Sequence, residues 1–382
     1  METHTIRREE LFALLWSESR EKVAARFAGI SPAIVTRTCE EANIPLPGRG
    51  HWARLESGEQ IPRPALPLRW PGHDEVLHLS PGRERVSGRS LSDEQLLEAD
   101  PPVRPVFDDD IDILVAAAEK LLRPIHVRRD LASPHAEVKK LLAAEERRRQ
   151  KALKWNSSWD GPRYEGPFFQ RQLRIFNALF LGMAPLARRV SLSDEARFER
   201  GVGTGYVLTA SFQIGTARLG LTFPMKEVVT PEKAVTYKPS PPVRLELQAD
   251  HVDKRSIGWE DSSENPLEKQ LDAVAQTLLV QAEVRRRTHA VWLHEWDLER
   301  IRDAHARRAE RVAKEEAAQV DALLAMADNL ERAERVRRLA AAFAALGVPP
   351  DGRDLNQWLA FANRVADQLD PRVSRASEVG RT

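Results

Sequence analysis

The chain has 382 residues, 42% of them apolar and 30% charged, with a formal net charge of +1. These are the values of a soluble chain long enough for two or three domains. No run of about 18 apolar residues occurs and the amino terminus has no signal-peptide pattern, so neither membrane insertion nor secretion is expected. The one cysteine, Cys39, excludes an intramolecular disulfide and a cysteine-only metal cage, which suits a reducing cytoplasm.

Near the amino terminus, Ile6, Leu11, Leu14, Leu15 and Trp16 supply a first helix with a wide apolar face. Val23, Ala24 and Phe27 form the stripe of a short second helix, and Gly29 follows where a sharp turn needs φ > 0. Ser31 is an N-cap and Pro32 fits the first helical position, so a third helix starts at once. Ile34, Val35, Thr38 and Cys39 face inward. Ser31, Ala33, Thr36 and Arg37 face outward, where the recognition helix of a helix-turn-helix presents side chains to a major groove. Against that pattern, Val23 and Ala24 make a better core pair than Ala25, which stands four positions before Gly29. An ordinary three-helix structural domain is the competing reading.

Residues 44–71, within IPLPGRGHWARLESGEQIPRPALPLRWPG, are too rich in proline for a helix or a central strand and are expected to form an extended arm. Arg49, between Gly48 and Gly50, has room to enter a narrow minor groove, with His51 and Trp52 beside the nucleic-acid backbone. Equally, Trp52, Trp70 and the prolines can strap the arm across the protein's own surface.

The segments LLWSES, VAARFAGIS and PLPGRGHWARL resemble the opening of a family of uncharacterised bacterial proteins. Those chains combine a tryptophan-containing first helix, a helix-turn-helix and a proline-rich arm built on P-x-R-G-(aromatic)-W. The resemblance extends to a long Arg/Glu/Ala-rich helix and to the terminal WLAFANRVADQLDP. It implies a fold but no activity. His51 stands where the resemblance leads one to expect an aromatic residue, commonly tyrosine.

Residues 1–72 hold 10 Lys/Arg against 9 Asp/Glu, so the first unit lacks the basic field on which non-specific DNA affinity rests. Residues 123–190 hold 15 against 6, and Arg147, Arg148 and Arg149 there are candidate phosphate contacts.

Residues 74–105, rich in Gly, Pro, Ser and charge, read as a linker. Helices follow over 111–122, 133–154 and 168–186. From 190 to 260 the texture turns to β, with YVLTASFQIG, ARLGLTFP, PPVRLELQADHV and SIGWE predicting three to five antiparallel strands around a loop at 231–242. Between Leu267 and Leu346 there is no Gly or Pro, which predicts a helical stretch of about 120 Å at 1.5 Å per residue, with a possible break at Asp328 and Asn329. Residues 302–319 have few large apolar side chains, so no long regular coiled coil is supported. Trp358, Phe361, Ala362, Val365 and Leu369 mark a last amphipathic helix able to fold back on 320–343.

The predicted fold class is multidomain, mainly α, with an N-terminal three-helix helix-turn-helix, a small α+β middle domain and a long C-terminal helix. The predicted segments are 1–46 (helix-turn-helix), 47–104 (arm and linker), 105–265 (α+β), 266–346 (long helix), 347–371 (C-terminal helix) and 372–382 (disordered tail).

Catalytic patterns are incomplete. His294–Glu295 begins an HExxH-like run, but Leu298 replaces the second histidine, so no metal site is read. Gly201, Gly203 and Gly205 imitate a dinucleotide loop without a following helix, so a hairpin turn is expected and no cofactor is assigned. The pairing of Asp130 with Glu137 and Lys139 falls on or before a predicted helix rather than on the paired strands of a nuclease site. The leading expectation is a cytoplasmic DNA-binding protein whose C-terminal helices serve a protein partner or homodimer. A non-enzymatic interaction scaffold is second, and an enzyme within 105–265 is third.

Overall fold

The computed structural model describes residues 4–80, 91–155, 163–164, 166–197, 205–229, 235–239, 242–249, 256–348, 352 and 354–373. The chain forms two compact units, one of residues 1–89 and 103–295, the other of residues 90–102 and 296–382.

The first unit opens with strand β1 (His4–Arg7), followed by helices α1 (Arg8–Ser17), α2 (Arg20–Ala25) and α3 (Pro32–Glu41). Ser19 caps α2 by accepting from the Lys22 N–H, and Ser31 caps α3 by accepting from the Ile34 N–H at 3.4 Å, with Pro32 at the first position. Gly29 has φ 77° between α2 and α3. Leu11, Phe12, Leu15, Val23, Ala24, Val35 and Cys39 fill one core. Two expectations change here. Ile6 belongs to a strand, because β1 pairs antiparallel with β2 (Val76–Leu79), bringing Ile6 and Leu79 into the same core. Helix α2 ends at Ala25, so Phe27 lies beyond it, half-buried.

The proline-rich segment is not extended throughout. His51–Glu56 forms the short helix α4, entered through Gly50 at φ 79°. This is the stretch in which no proline interrupts the backbone hydrogen bonds. Nor is all of 74–105 linker, since it contains β2 and helix α5 (Asp93–Glu98), which a Ser92–Gln95 capping box closes.

Helices α6 (Ile111–Glu119), α7 (Ala136–Trp155) and α8 (Pro167–Met183) lead into a five-stranded antiparallel sheet of β3 (Arg189–Arg197), β4 (Gly205–Ile214), β5 (Ala217–Thr222), β8 (Arg244–Leu247) and β9 (Ile257–Glu260), hydrogen-bonded in that order. A separate ribbon, β6 (Met225–Val229) with β7 (Val235–Pro239), occupies part of the expected loop. Residues 201–204, expected to form a hairpin turn, lie outside the described residues, and β3 and β4 pair antiparallel on either side of them. Phe180 meets Phe212 edge-on at 5.2 Å and Phe176 lies 5.7 Å from Phe223, so α8 packs on the sheet. Leu271, Val274, Leu278 and Leu279 join the same core from the start of helix α9 (Leu271–Leu346).

Helix α9 has no break at Asp328 or Asn329. Each costs only some tenths of a kcal/mol relative to alanine, too little to interrupt so long a run of good helix formers. Within the second unit, Arg307 grips Asp93 with two hydrogen bonds of 2.7 and 2.8 Å. Helix α10 (Leu355–Leu369) folds back there, with Trp358 edge-on to Phe343 at 5.3 Å and Ala362 and Ala366 buried. Phe361, predicted to help this packing, is instead exposed. Of the expected tail, 374–382 lies outside the described residues.

Candidate functional site

Helix α3 has two chemically distinct faces. Val35, Thr38 and Cys39 are buried, while Ser31, Ala33 and Arg37 are exposed. Thr36 is half-buried: its hydroxyl donates to the Pro32 carbonyl and accepts from Arg20 Nη1 at 3.2 Å. That contact joins the start of α2 to the outer face of α3. Among the described residues Arg37 meets no hydrogen-bond or ion-pair partner, and its side chain is exposed. Burial pushes the Cys39 thiol up to about 12, which removes it as a nucleophile.

Arg49 is exposed in the turn before α4, closed by the His51 N–H donating to the Gly48 carbonyl at 3.1 Å. A Cβ added to Gly48 or Gly50 would meet nothing, so the surroundings of Arg49 are open. The outward reading of His51 requires correction. The residue is 5% exposed, and its ring lies edge-on to Trp16 and to Trp52, with centroids at 5.1 and 5.0 Å. Residue 51 therefore seats α4 on α1, and its Nε2 is buried without a partner.

Arg8 fastens the base of the arm. Its buried guanidinium donates to the carbonyls of Ala42, Asn43 and Pro67, each at 2.8 Å. The Trp16 indole donates to the Pro45 carbonyl at 3.0 Å, and the Asn43 amide to the Leu68 carbonyl at 2.9 Å. Arg49 is thus held against the three-helix unit from both ends of the excursion that carries it.

The basic zone is partly neutralised by its own helix. Arg148 pairs with Glu145, itself accepting from the Arg163 and Tyr164 N–H groups, and Arg149 pairs with Glu146 at 2.7 Å. Arg147 is exposed. Its neighbours are therefore weaker phosphate contacts than their charge suggests.

Sequence reasoning missed the most concentrated electrostatic centre. Glu283 is fully buried and accepts from Arg69 at 2.6 and 2.7 Å, Arg287 at 2.7 Å, Arg286 at 2.8 Å and the Gly72 N–H at 2.9 Å. Burial by itself would raise its pKa, but these charge-assisted bonds outweigh it and hold the carboxyl well below the usual range. Arg69 also reaches Asp109 at 2.8 Å. Arg69 and Glu283 are 214 positions apart, and no local motif announces their meeting.

Among the described residues, no group of three or more His, Cys, Asp and Glu side chains is arranged to hold a metal ion, and no helix is long and apolar enough to cross a membrane. No family model, curated protein or solved structure matches the chain.

Proposed function

We propose that the protein binds duplex DNA in a sequence-dependent manner, with α2 and α3 acting as a helix-turn-helix and α3 as its recognition helix. The observation that carries this reading is the two-sidedness of α3. One side is fixed in the core by Val35 and Cys39, while the other presents Ser31, Ala33 and an unpaired Arg37. A helix rigidly held on one side and chemically free on the other suits a major groove. Arg49 adds a minor-groove contact, and Arg147 a phosphate contact without base preference. The resemblance to bacterial helix-turn-helix proteins with a PxRG(aromatic)W arm agrees with this assignment. So does a cytoplasmic setting, where a buried thiol such as Cys39 stays reduced. Transcriptional regulation or service to a mobile element is the process proposed.

A second reading, an interaction scaffold, draws support from α9, where residues 305–320 are all exposed. So long a solvated surface on a helix suits a protein partner or a second copy of the chain.

Selection of bound fragments from a genomic library by the full chain tests the DNA reading. Arg37→Ala should relax preference at one or two base pairs, as expected for loss of a guanine contact worth about 1–3 kcal/mol of discrimination. Arg49→Ala should weaken most the sites flanked by A·T tracts. Equal affinity of wild type and both variants for every duplex at low salt leaves the scaffold reading in front.

A further inference from the structure

The five-stranded sheet has two faces of opposite chemistry. Phe212, Ile214, Leu219 and Leu221 fill the core on one side, and the residues that alternate with them point the other way. On that second face Arg189, Gln213 and Arg218 form one cross-strand row, and Ser191, Ser211 and Gly220 form the next. With strands about 4.8 Å apart, the two arginine stems rise about 10 Å from each other, one on each side of Gln213. A cavity of about 380 Å³ opens over these rows, lined by Arg189, Ser191, Ser211, Gln213 and Arg218. Every lining side chain can donate a hydrogen bond, and none is acidic or apolar. Among the described residues, none of the five side chains meets a hydrogen-bond or ion-pair partner. For two exposed arginines that is ordinary. For Ser211 it is not, since the residue is only 7% exposed and its hydroxyl faces the cavity without an acceptor or donor from the protein. Gln248 closes one side of the site, its carboxamide lying over Gly220 and reaching the Thr209 hydroxyl.

We propose that this cavity binds the phosphate monoester of a small hydroxylated molecule. Arg189 and Arg218 clasp the phosphate from either side, the Ser211 hydroxyl donates to it from the floor, and Ser191 and Gln213 meet the hydroxyls of the body. A phosphate monoester carries a charge of about −1.5 to −2 near neutral pH and three strong acceptor oxygens, which two guanidiniums without a counter-ion match. A carboxylate brings one charge and leaves one guanidinium uncompensated. The lining offers neither an aromatic plane for a nucleobase nor an apolar wall for an acyl chain, so the body is one such as a sugar. The volume is in the range of pockets that enclose small ligands. The inference goes beyond DNA binding and does not rest on it, because neither the site nor its test involves a duplex.

Isothermal titration calorimetry of the full chain against glucose 6-phosphate, inorganic phosphate and glucose tests it. The ester should bind saturably, inorganic phosphate at least about tenfold more weakly, and glucose without measurable affinity. Both arginines are exposed, so Arg189→Gln with Arg218→Gln should keep the fold and weaken the ester at least about tenfold. Ser211→Ala should weaken it about tenfold by removing the one donor on the cavity floor. The same loss of two charges from exposed arginines of α9, Arg302→Gln with Arg308→Gln, should leave the affinity unchanged. The proposal is overturned by absence of saturable ester binding to the wild type, by equal binding of glucose or inorganic phosphate, or by ester binding that persists undiminished in the Arg189 and Arg218 double variant or in Ser211→Ala. It is equally overturned if the α9 double variant loses as much affinity, since the attraction would then belong to net charge and not to this site.

Discussion

Glu283 shows how much of this fold hangs on one carboxylate. Three guanidiniums and a backbone N–H converge on it inside the protein, so its removal leaves their buried positive charge only partly compensated, by Asp109 at Arg69 and Asp74 at Arg286. Glu283→Ala should therefore cost about 3–5 kcal/mol, against about 1 kcal/mol or less for an exposed pair such as Glu310 with Lys314. Urea denaturation at pH 7 measures both. The carboxyl titrates lower in the folded chain than in the unfolded one, so its stabilisation is complete above the unfolded pKa of about 4.3 and is lost as pH falls toward the folded value. Wild type should weaken with acid below about pH 5, and Glu283→Gln should show a shallower decline there. An identical acid slope in both proteins would remove Glu283 from this role. None of this was visible in the sequence, where Glu283 sits in the run AEVRRR and reads as a surface residue. A buried ion pair between distant positions leaves no periodic trace.

At the scale of elements, legibility followed length. Helix α9 was readable because 80 residues without Gly or Pro admit few alternatives, and α8 because its apolar residues recur at the helical period. Strands β1 and β2, with 4 residues each, are too short for alternation to show and pair across some 70 positions. Helix α4 was hidden by the prolines around it. On the candidate DNA face, the outward Arg37 and Arg49 were legible from capping and turn chemistry, whereas the burial of His51 depends on Trp16, which lies in another helix. The hairpin between β4 and β5 makes a sharper demand. At Gly215, φ is 56° and a Cβ would stand 1.9 Å from the Gly72 carbonyl oxygen, while the Thr216 N–H donates to that same oxygen at 2.9 Å. Gly215→Ala combines backbone strain with a backbone clash and should cost roughly 2–4 kcal/mol. Thermal unfolding of this variant beside Gly48→Ala, where nothing is within 4 Å, separates the two kinds of glycine.

For the whole molecule, the contrast lies between cores and helix surface. The sheet, α8 and the first turns of α9 share one apolar cluster, whereas residues 305–320 of α9 are exposed throughout. Backbone hydrogen bonds in the exposed stretch rest on helix propensity and local pairs such as Glu310 with Lys314. Amides of 305–320 should therefore exchange at least about a hundredfold faster than those of 173–183 in α8, a free-energy gap of some 2.7 kcal/mol. Hydrogen exchange read by mass spectrometry checks this in the full chain. Equal protection in both would mean that the helix surface is covered in solution by a second copy of the chain.

The way Arg8 ties the chain has a consequence for how the arm can change length. By holding Ala42, Asn43 and Pro67 together, it converts the residues between them into a loop whose ends are already closed. Beyond His51 and Trp52, residues 53–60 and 62–65 of that loop are exposed. Closing a loop twice as long costs only about 0.6 kcal/mol more. Insertions between Glu59 and Ile61, before Arg63 stacks on Phe12, are thus nearly neutral for the fold, while they alter how far the surface of this arm projects from the three helices. Its reach can be retuned by changes in chain length alone, with every anchoring residue left in place.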